Sequence, residues 1–230
     1  RALIDATVER YGRLDCLINN AGFHPPQRAI DTFDEDDLAE VWQANFVSQF
    51  VACKYALQHL RKTNGSIINM GSLVAQIGQE GATTYCATKG AISAFTKALA
   101  IEEARNGVRV NAVLPGNILS DSRVQFIKNL QDGGELDRWV DANQHMGRSG
   151  TNEETGQVCL FLASDAASYL TGIIAGLMAQ GLSPGVAAGC GVYIHGQAGE
   201  AVRKRIGDTG SIASDLIERL AETIRDLKRP

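Results

Sequence analysis

The feature that most constrains this chain is a repeated unit: a short apolar run that ends in turn residues, followed by a segment long enough for a helix. Arg13–Gly22 reads "RLDCLINNAG", an apolar run stopped by Asn19-Asn20-Ala21-Gly22. Ser66–Ser72 reads "SIINMGS", and Val108–Gly116 reads "VRVNAVLPG", closed by Pro115-Gly116. Runs of this length between turn formers are buried strands. The opening "RALIDATVERYGRLD" reads as the tail of a helix. Thr32-x-x-Glu35 predicts a capping box. The helix it opens carries Leu38, Val41, Trp42, Phe46 and Val47 on an apolar stripe and stops at Thr63-Asn64-Gly65. A long helix is expected from about Thr83 to Asn106-Gly107. Two amphipathic helices should follow, then a capped helix within "SGTNEETGQVCLFLAS". Strands alternating with helices predict an α/β fold, a doubly wound parallel sheet with helices on both faces. In such sheets ligands bind beyond the carboxyl ends of the strands. Here those ends carry Asn19–Gly22, Ser72 and Pro115–Asn117.

After Gly172 the texture changes. "IIAGLMAQGLSPGVAAGCGVYIHGQAGEAVRKR" is rich in Gly and Ala at helical spacing, and a last helix is expected near Ser214-Asp215. This divides the chain into residues 1–172 and a helical tail, 173–230. The net charge of −4 argues against a broad nucleic-acid or anionic-membrane surface. No segment is long and apolar enough to span a bilayer. Five cysteines are scattered without a CxxC pair, and the four histidines lie far apart. That pattern fits free thiols in a reducing, cytoplasmic compartment and no metal site.

Tyr85 and Lys89 stand four apart in "YCATKG", so they share one helix face. An ammonium near a phenol stabilises the phenolate and lowers its pKa from about 10. A phenol so tuned can exchange a proton with an alcohol or carbonyl. Small neighbours (Ala87, Gly90, Ala91) let a flat ligand approach. Ser72 can donate to a carbonyl oxygen, and Asn45 interrupts an apolar stripe, a costly place for an unpaired amide. Each has an ordinary reading when taken alone. Y-x-x-x-K is a common surface pair, a serine after a strand is usually a turn residue or cap, an asparagine on a stripe usually bonds nearby backbone, and "NNAG" is a turn. Together they fall on one edge of one sheet.

With Asn19-Asn20-Ala21-Gly22, Asn45, Ser72, Tyr85-x-x-x-Lys89 and Pro115-Gly116-Asn117-Ile118 in order, residues from about Tyr11 to Gly172 resemble the later two-thirds of a short-chain dehydrogenase/reductase. "GRLDCLINNAGFHPP", "GSLVAQIGQ" and "GVRVNAVLPGNI" are similar to 17β-hydroxysteroid dehydrogenases and their bacterial relatives. The resemblance implies a Rossmann-like domain and an oxidoreductase that moves a hydride between NAD or NADP and a secondary alcohol or ketone. It implies Tyr85 as general acid/base, Lys89 as the cation that lowers its pKa and holds the nicotinamide ribose, Ser72 as the group orienting the substrate oxygen, and Asn45 as anchor of a proton relay. Asn20, Ala21 and Gly22 would line the cofactor, with Pro115, Gly116 and Ile118 at the nicotinamide end. His24 would lie near the substrate mouth, as a lining residue or as a contributor to chemistry. A homo-oligomer, dimer or tetramer, is implied through the helices carrying Asn45 and Tyr85.

Two departures are equally legible. The family's glycine-rich phosphate turn, and the residue that tells NAD from NADP, would precede Arg1, so a truncated sheet is expected, with the strand at Leu14–Asn19 as an apolar edge. The tail resembles the end of an ADP-dependent NAD(P)H-hydrate dehydratase, joined through Thr171–Ile173, but Ser168 stands where that family's catalytic Asp would be. Two alternatives to the dehydrogenase therefore stay open: a non-catalytic chimera or fragment without a cofactor grip, and a dehydratase-like protein.

Overall fold

In the computed structural model, residues 1–128 and 147–168 are described, with 134, 135, 138, 141 and 144 between them. The boundary near Gly172, the helical tail and its dehydratase likeness lie outside the described residues. Helix α1 (Ala2–Tyr11) leads into β1 (Cys16–Asn19). Helices α2 (Glu35–Trp42) and α3 (Ser48–Thr63) cross to β2 (Ser66–Met70), and the short α4 (Val74–Ile77) and long α5 (Thr83–Ala104) cross to β3 (Arg109–Val113). These strands form one parallel sheet in the order β1-β2-β3, the Rossmann-like arrangement. A two-residue pair, β4 (Ile118–Leu119) with β5 (Gly150–Thr151), brackets α6 (Asp121–Lys128), and α7 (Asn152–Ala163) follows. α6 is the first of the two helices expected here. The second falls largely outside the described residues.

Alternation along β2 sends its side chains to two layers. Ile67 points to one face, where it packs with Val110 of β3, Cys53, Ala56 and Leu60 of α3, Leu99 and Ala100 of α5, and Ile4 of α1. Ile68 and Met70 point to the other and meet Cys159 of α7. Leu60, Ile67 and Ile68 are wholly buried, each contributing about 1.5–3 kcal/mol of apolar burial. Arg109 ties α7 down, because its guanidinium donates to the Leu162, Ala163 and Ser164 carbonyls at the helix C-terminus.

The helix starts bear out one expected cap and correct another. Thr151 caps α7, its side chain accepting from Glu154 N while Glu154 bonds back to Thr151 N. Thr32 does not cap α2. It sits in a 3₁₀ turn and donates to the Ala29 carbonyl, and the capping box is formed by Asp34 and Asp37. An acidic pair serves the exposed amides of a first turn as well as Thr/Glu does, and it suits the positive end of the helix dipole. The expected single helix from there to Thr63 is broken by a π turn at Gln43–Val47, which carries Asn45.

Between α3 and α5 the buried Glu103 carboxylate accepts two bonds from Arg61 (2.8 and 2.6 Å) and one from Asn106 (3.0 Å). Arg61 is the main cause holding the Glu103 carboxyl below the usual glutamate range. A depressed folded pKa means that the stabilisation is complete above the ordinary value near 4.3 and is lost as pH falls through the folded one. Arg61→Ala is expected to cost roughly 1–3 kcal/mol at neutral pH. In denaturant melts the gap to wild type should close on acidification below that range. A gap that widens on acidification would contradict this assignment.

Candidate active site

The carboxyl ends of the three strands open onto a cleft of about 890 Å³. Strand pairing continues past β2 and β3: Gly71 N donates to Val113 O and Leu73 N to Pro115 O. Ser72 is therefore pinned between two backbone bonds to the end of β3. Ser72, Tyr85 and Lys89 line the cleft together, with Asn20 and Gly22 from the β1 turn and Pro115, Gly116 and Ile118 from the β3 turn. Ala21, expected with them, is exposed and does not line it. The ordinary reading of Ser72 also holds, since its Oγ accepts from Val74 N at the start of α4.

Tyr85 and Lys89 leave α5 on the same face, and the ammonium lies 5.6 Å from the Tyr85 ring centre. The expected electrostatics are corrected, however. Lys89 is buried and donates to the Met70 carbonyl at 2.9 Å, and burial pushes its pKa down to about 8. Burial also pushes the Tyr85 phenol up, and a hydrogen bond with Ser72 works in the opposite direction. In the site as folded, burial is the largest influence on the phenol. A carbonyl, not the phenol, holds the ammonium.

Asn45 is wholly buried and does not line the cleft. Its Oδ1 accepts from Phe23 N (2.8 Å), and its Nδ2 donates to Phe23 O (2.9 Å) and to Thr88 Oγ1 (3.3 Å). Thr88 in turn donates to the Tyr85 carbonyl. The amide is thus fully paired, and it fastens the β1 turn to the turn of α5 that bears Tyr85. Gly22 makes this possible, because a Cβ there would lie 2.7 Å from Asn45 Oδ1.

His24, expected near the substrate mouth, lines the cleft and packs on Tyr85 with ring centres 4.2 Å apart. Two further participants escaped sequence reasoning. Asn69 accepts from Asn19 Nδ2 and donates to Thr96, bracing the strand ends beneath the cleft. An asparagine inside the otherwise apolar "SIINM" was the available signal, because a buried amide in a strand needs partners. Gln144 accepts from Asn117 N and lies where a Gly116 Cβ would fall. Nothing in its local sequence marks it. Among the described residues no cluster of His, Cys, Asp or Glu could hold a metal ion.

The sequence profile of a family described as enoyl-(acyl carrier protein) reductase matches residues 1–177. L-fucose dehydrogenase of Oryctolagus cuniculus is 42% identical over 173 residues, 75% of this chain and 61% of that protein. The chain thus spans about six-tenths of the length of the curated relatives it matches. Among solved structures, an NAD+-bound xylitol dehydrogenase has a TM-score of 0.68 at 28% identity, covering 74% of this chain and 70% of that one. ElxO with NADP bound has a TM-score of 0.69 at 30% identity, covering 74% and 68%.

Proposed function

The chain belongs to the short-chain dehydrogenase/reductase family, and from that premise we propose that its cleft oxidises a secondary alcohol, or reduces the matching ketone, with NAD or NADP. The observation that carries this reading is the convergence of a hydroxyl, a phenol and a buried ammonium on one cleft at the strand ends. The residues fit a nicotinamide cofactor. The cleft is of ligand size, its rim at Gly22 and Gly116 is bare backbone, and Lys89 brings a cationic donor to its floor. Lys89 and Tyr85 would hold the cofactor with Asn20 and Gly22 on one side and Pro115, Gly116 and Ile118 on the other. When bound, the nicotinamide supplies the hydride acceptor or donor.

The chain's own groups handle the proton. Ser72 donates to the substrate oxygen and fixes its distance from Tyr85. In the oxidation direction the Tyr85 phenolate removes the hydroxyl proton, and in reduction the phenol returns it. Lys89 serves as the donor that holds the nicotinamide ribose. Asn45 serves as a positioning residue that keeps the β1 turn and Tyr85 in register. Relatives named for L-fucose and xylitol make a hydroxylated small molecule the first class to assay. The free thiols of Cys16, Cys53, Cys86 and Cys159 support a reducing compartment, the cytoplasm. Trp42, Phe46, Phe50 and Phe95 form one ring-packed row, with Trp42 and Phe50 exposed. That row supports a homo-oligomer through these helices. The direct test of the activity is the appearance of reduced nicotinamide absorbance with secondary alcohols and each cofactor. Absence of turnover with a broad alcohol panel and both cofactors would contradict the reading.

A further inference from the structure

Two thiols and a thioether gather on the face of the sheet covered by α7. Cys159 Sγ donates to Met70 Sδ at 3.9 Å, and both side chains are buried. β1 and β2 pair in parallel with Ile18 opposite Ile68, so alternation turns Cys16 toward the same layer as Ile68 and Met70. Cys16 packs against the cluster of Ile68, Met70 and Cys159. The two thiols also act on each other electrostatically: burial first, and Cys16 second, push the Cys159 thiol up. Neither is in a disulfide. All three sulfur-bearing residues line the cleft, so an ion can reach them from solvent.

The spacing is that of ligands sharing one ion. Two sulfurs each bonded to a metal at about 2.3 Å, and 120° apart around it, lie about 4 Å from each other. Cys159 and Met70 already stand at that separation. The third position falls to Cys16, which is half-buried at the cleft wall and can turn its thiol by a change of rotamer. No harder ligand set forms here, because among the described residues no three His, Cys, Asp or Glu groups converge. A thiolate–thioether set of three is soft and suits Cu(I), whereas Zn²⁺ takes four ligands in a structural site.

We infer that Cys16, Met70 and Cys159 form a trigonal site for a soft monovalent cation, Cu(I). Each thiol gives its proton to solvent and bonds the ion as thiolate, the thioether coordinates unchanged, and no electron moves. Arg109, within electrostatic reach of Cys16, offsets the negative charge of the two thiolates. The site shares the cleft with Ser72, Tyr85 and Lys89 but uses none of them. It is therefore independent of the dehydrogenase reading.

Anaerobic titration of Cu(I) into the reduced protein, in competition with a chromogenic Cu(I) chelator, measures the site directly. The protein should withdraw one ion per chain from the chelator, and X-ray absorption at the copper edge should show three sulfur neighbours at about 2.3 Å. Met70→Leu conserves volume and so keeps the fold. It should weaken binding by about tenfold or more, since loss of even an outer-shell partner typically costs about 10–100-fold. Cys16→Ser and Cys159→Ser should do the same. Cys86→Ser, on α5 and outside the cleft lining, should leave the affinity unchanged, and Zn²⁺ should not displace the copper. No copper withdrawn from the chelator, an affinity indifferent to Met70→Leu or to Cys16→Ser, binding lost in Cys86→Ser, or ready displacement by Zn²⁺ would each overturn the inference.

Discussion

Tyr85→Phe is expected to lower kcat by about 10²–10⁴-fold, the usual contribution of a positioned acid or base. The ring survives, so the contact with His24 and the packing of α5 survive with it. Only the ionisable hydroxyl and its bond to Ser72 are removed. In the oxidation direction the active form is the phenolate, and burial raises the Tyr85 pKa. Wild-type oxidation should therefore climb as pH rises toward that value, while ketone reduction should stay level below it and fall only above it. The residual activity of Tyr85→Phe should show neither limb. KM is expected to change little, because the phenol acts chiefly in the transition state. Retained turnover with an unchanged pH profile would remove Tyr85 from the chemistry.

Gly22→Ala should produce the second large effect, from a residue with no chemistry of its own. The added Cβ would sit 2.7 Å from Asn45 Oδ1, closer than any ordinary contact. Either the Asn45 amide withdraws from Phe23, or the β1 turn lifts. Both outcomes separate Phe23 and His24 from the Tyr85 turn of α5, which Asn45 reaches through Thr88. Misplacement by about 1 Å at a reacting centre can cost on the order of 10²-fold, and overpacking adds roughly 1–3 kcal/mol of destabilisation. Gly90→Ala is the contrast. It lies within α5, a Cβ there meets nothing within 4 Å, and the helix should gain about 0.5–1 kcal/mol. Near-wild-type activity in Gly22→Ala would show that the Asn45 clamp is dispensable.

The parts of this fold legible in the sequence are those written in periodicity and turn chemistry. "CLIN", "SIINM" and "RVNAV" lie inside the expected strands, and the helix expected from Thr83 ends at Ala104, just short of Asn106-Gly107. The i, i+4 spacing placed Tyr85 and Lys89 on one face, and the strand ends located Ser72 and Gly116 at the same cleft. What stayed hidden depends on partners distant in sequence. Lys89 ends on the Met70 carbonyl, and a carbonyl acceptor leaves no mark in a residue string. The direction of the Tyr85 shift follows from how deeply it is buried, which spacing does not encode. Asn45 was conspicuous as an amide on an apolar stripe, but its engagement with Phe23, 22 residues away, required the π turn and the bare Gly22. Asp34 displaced Thr32 as the cap of α2 because two overlapping cap signals stood two residues apart, and periodicity cannot rank them.

Titration of NADH and NADPH into the protein, followed by the fluorescence of the reduced nicotinamide, bears most directly on whether this cleft holds the cofactor. Saturable binding to at least one of them, weakened in Lys89→Met, is the expected result. Flat titrations with both cofactors, or binding indifferent to Lys89→Met, would contradict the account, and the first of these would favour a chain that has kept the catalytic residues without a grip on the cofactor.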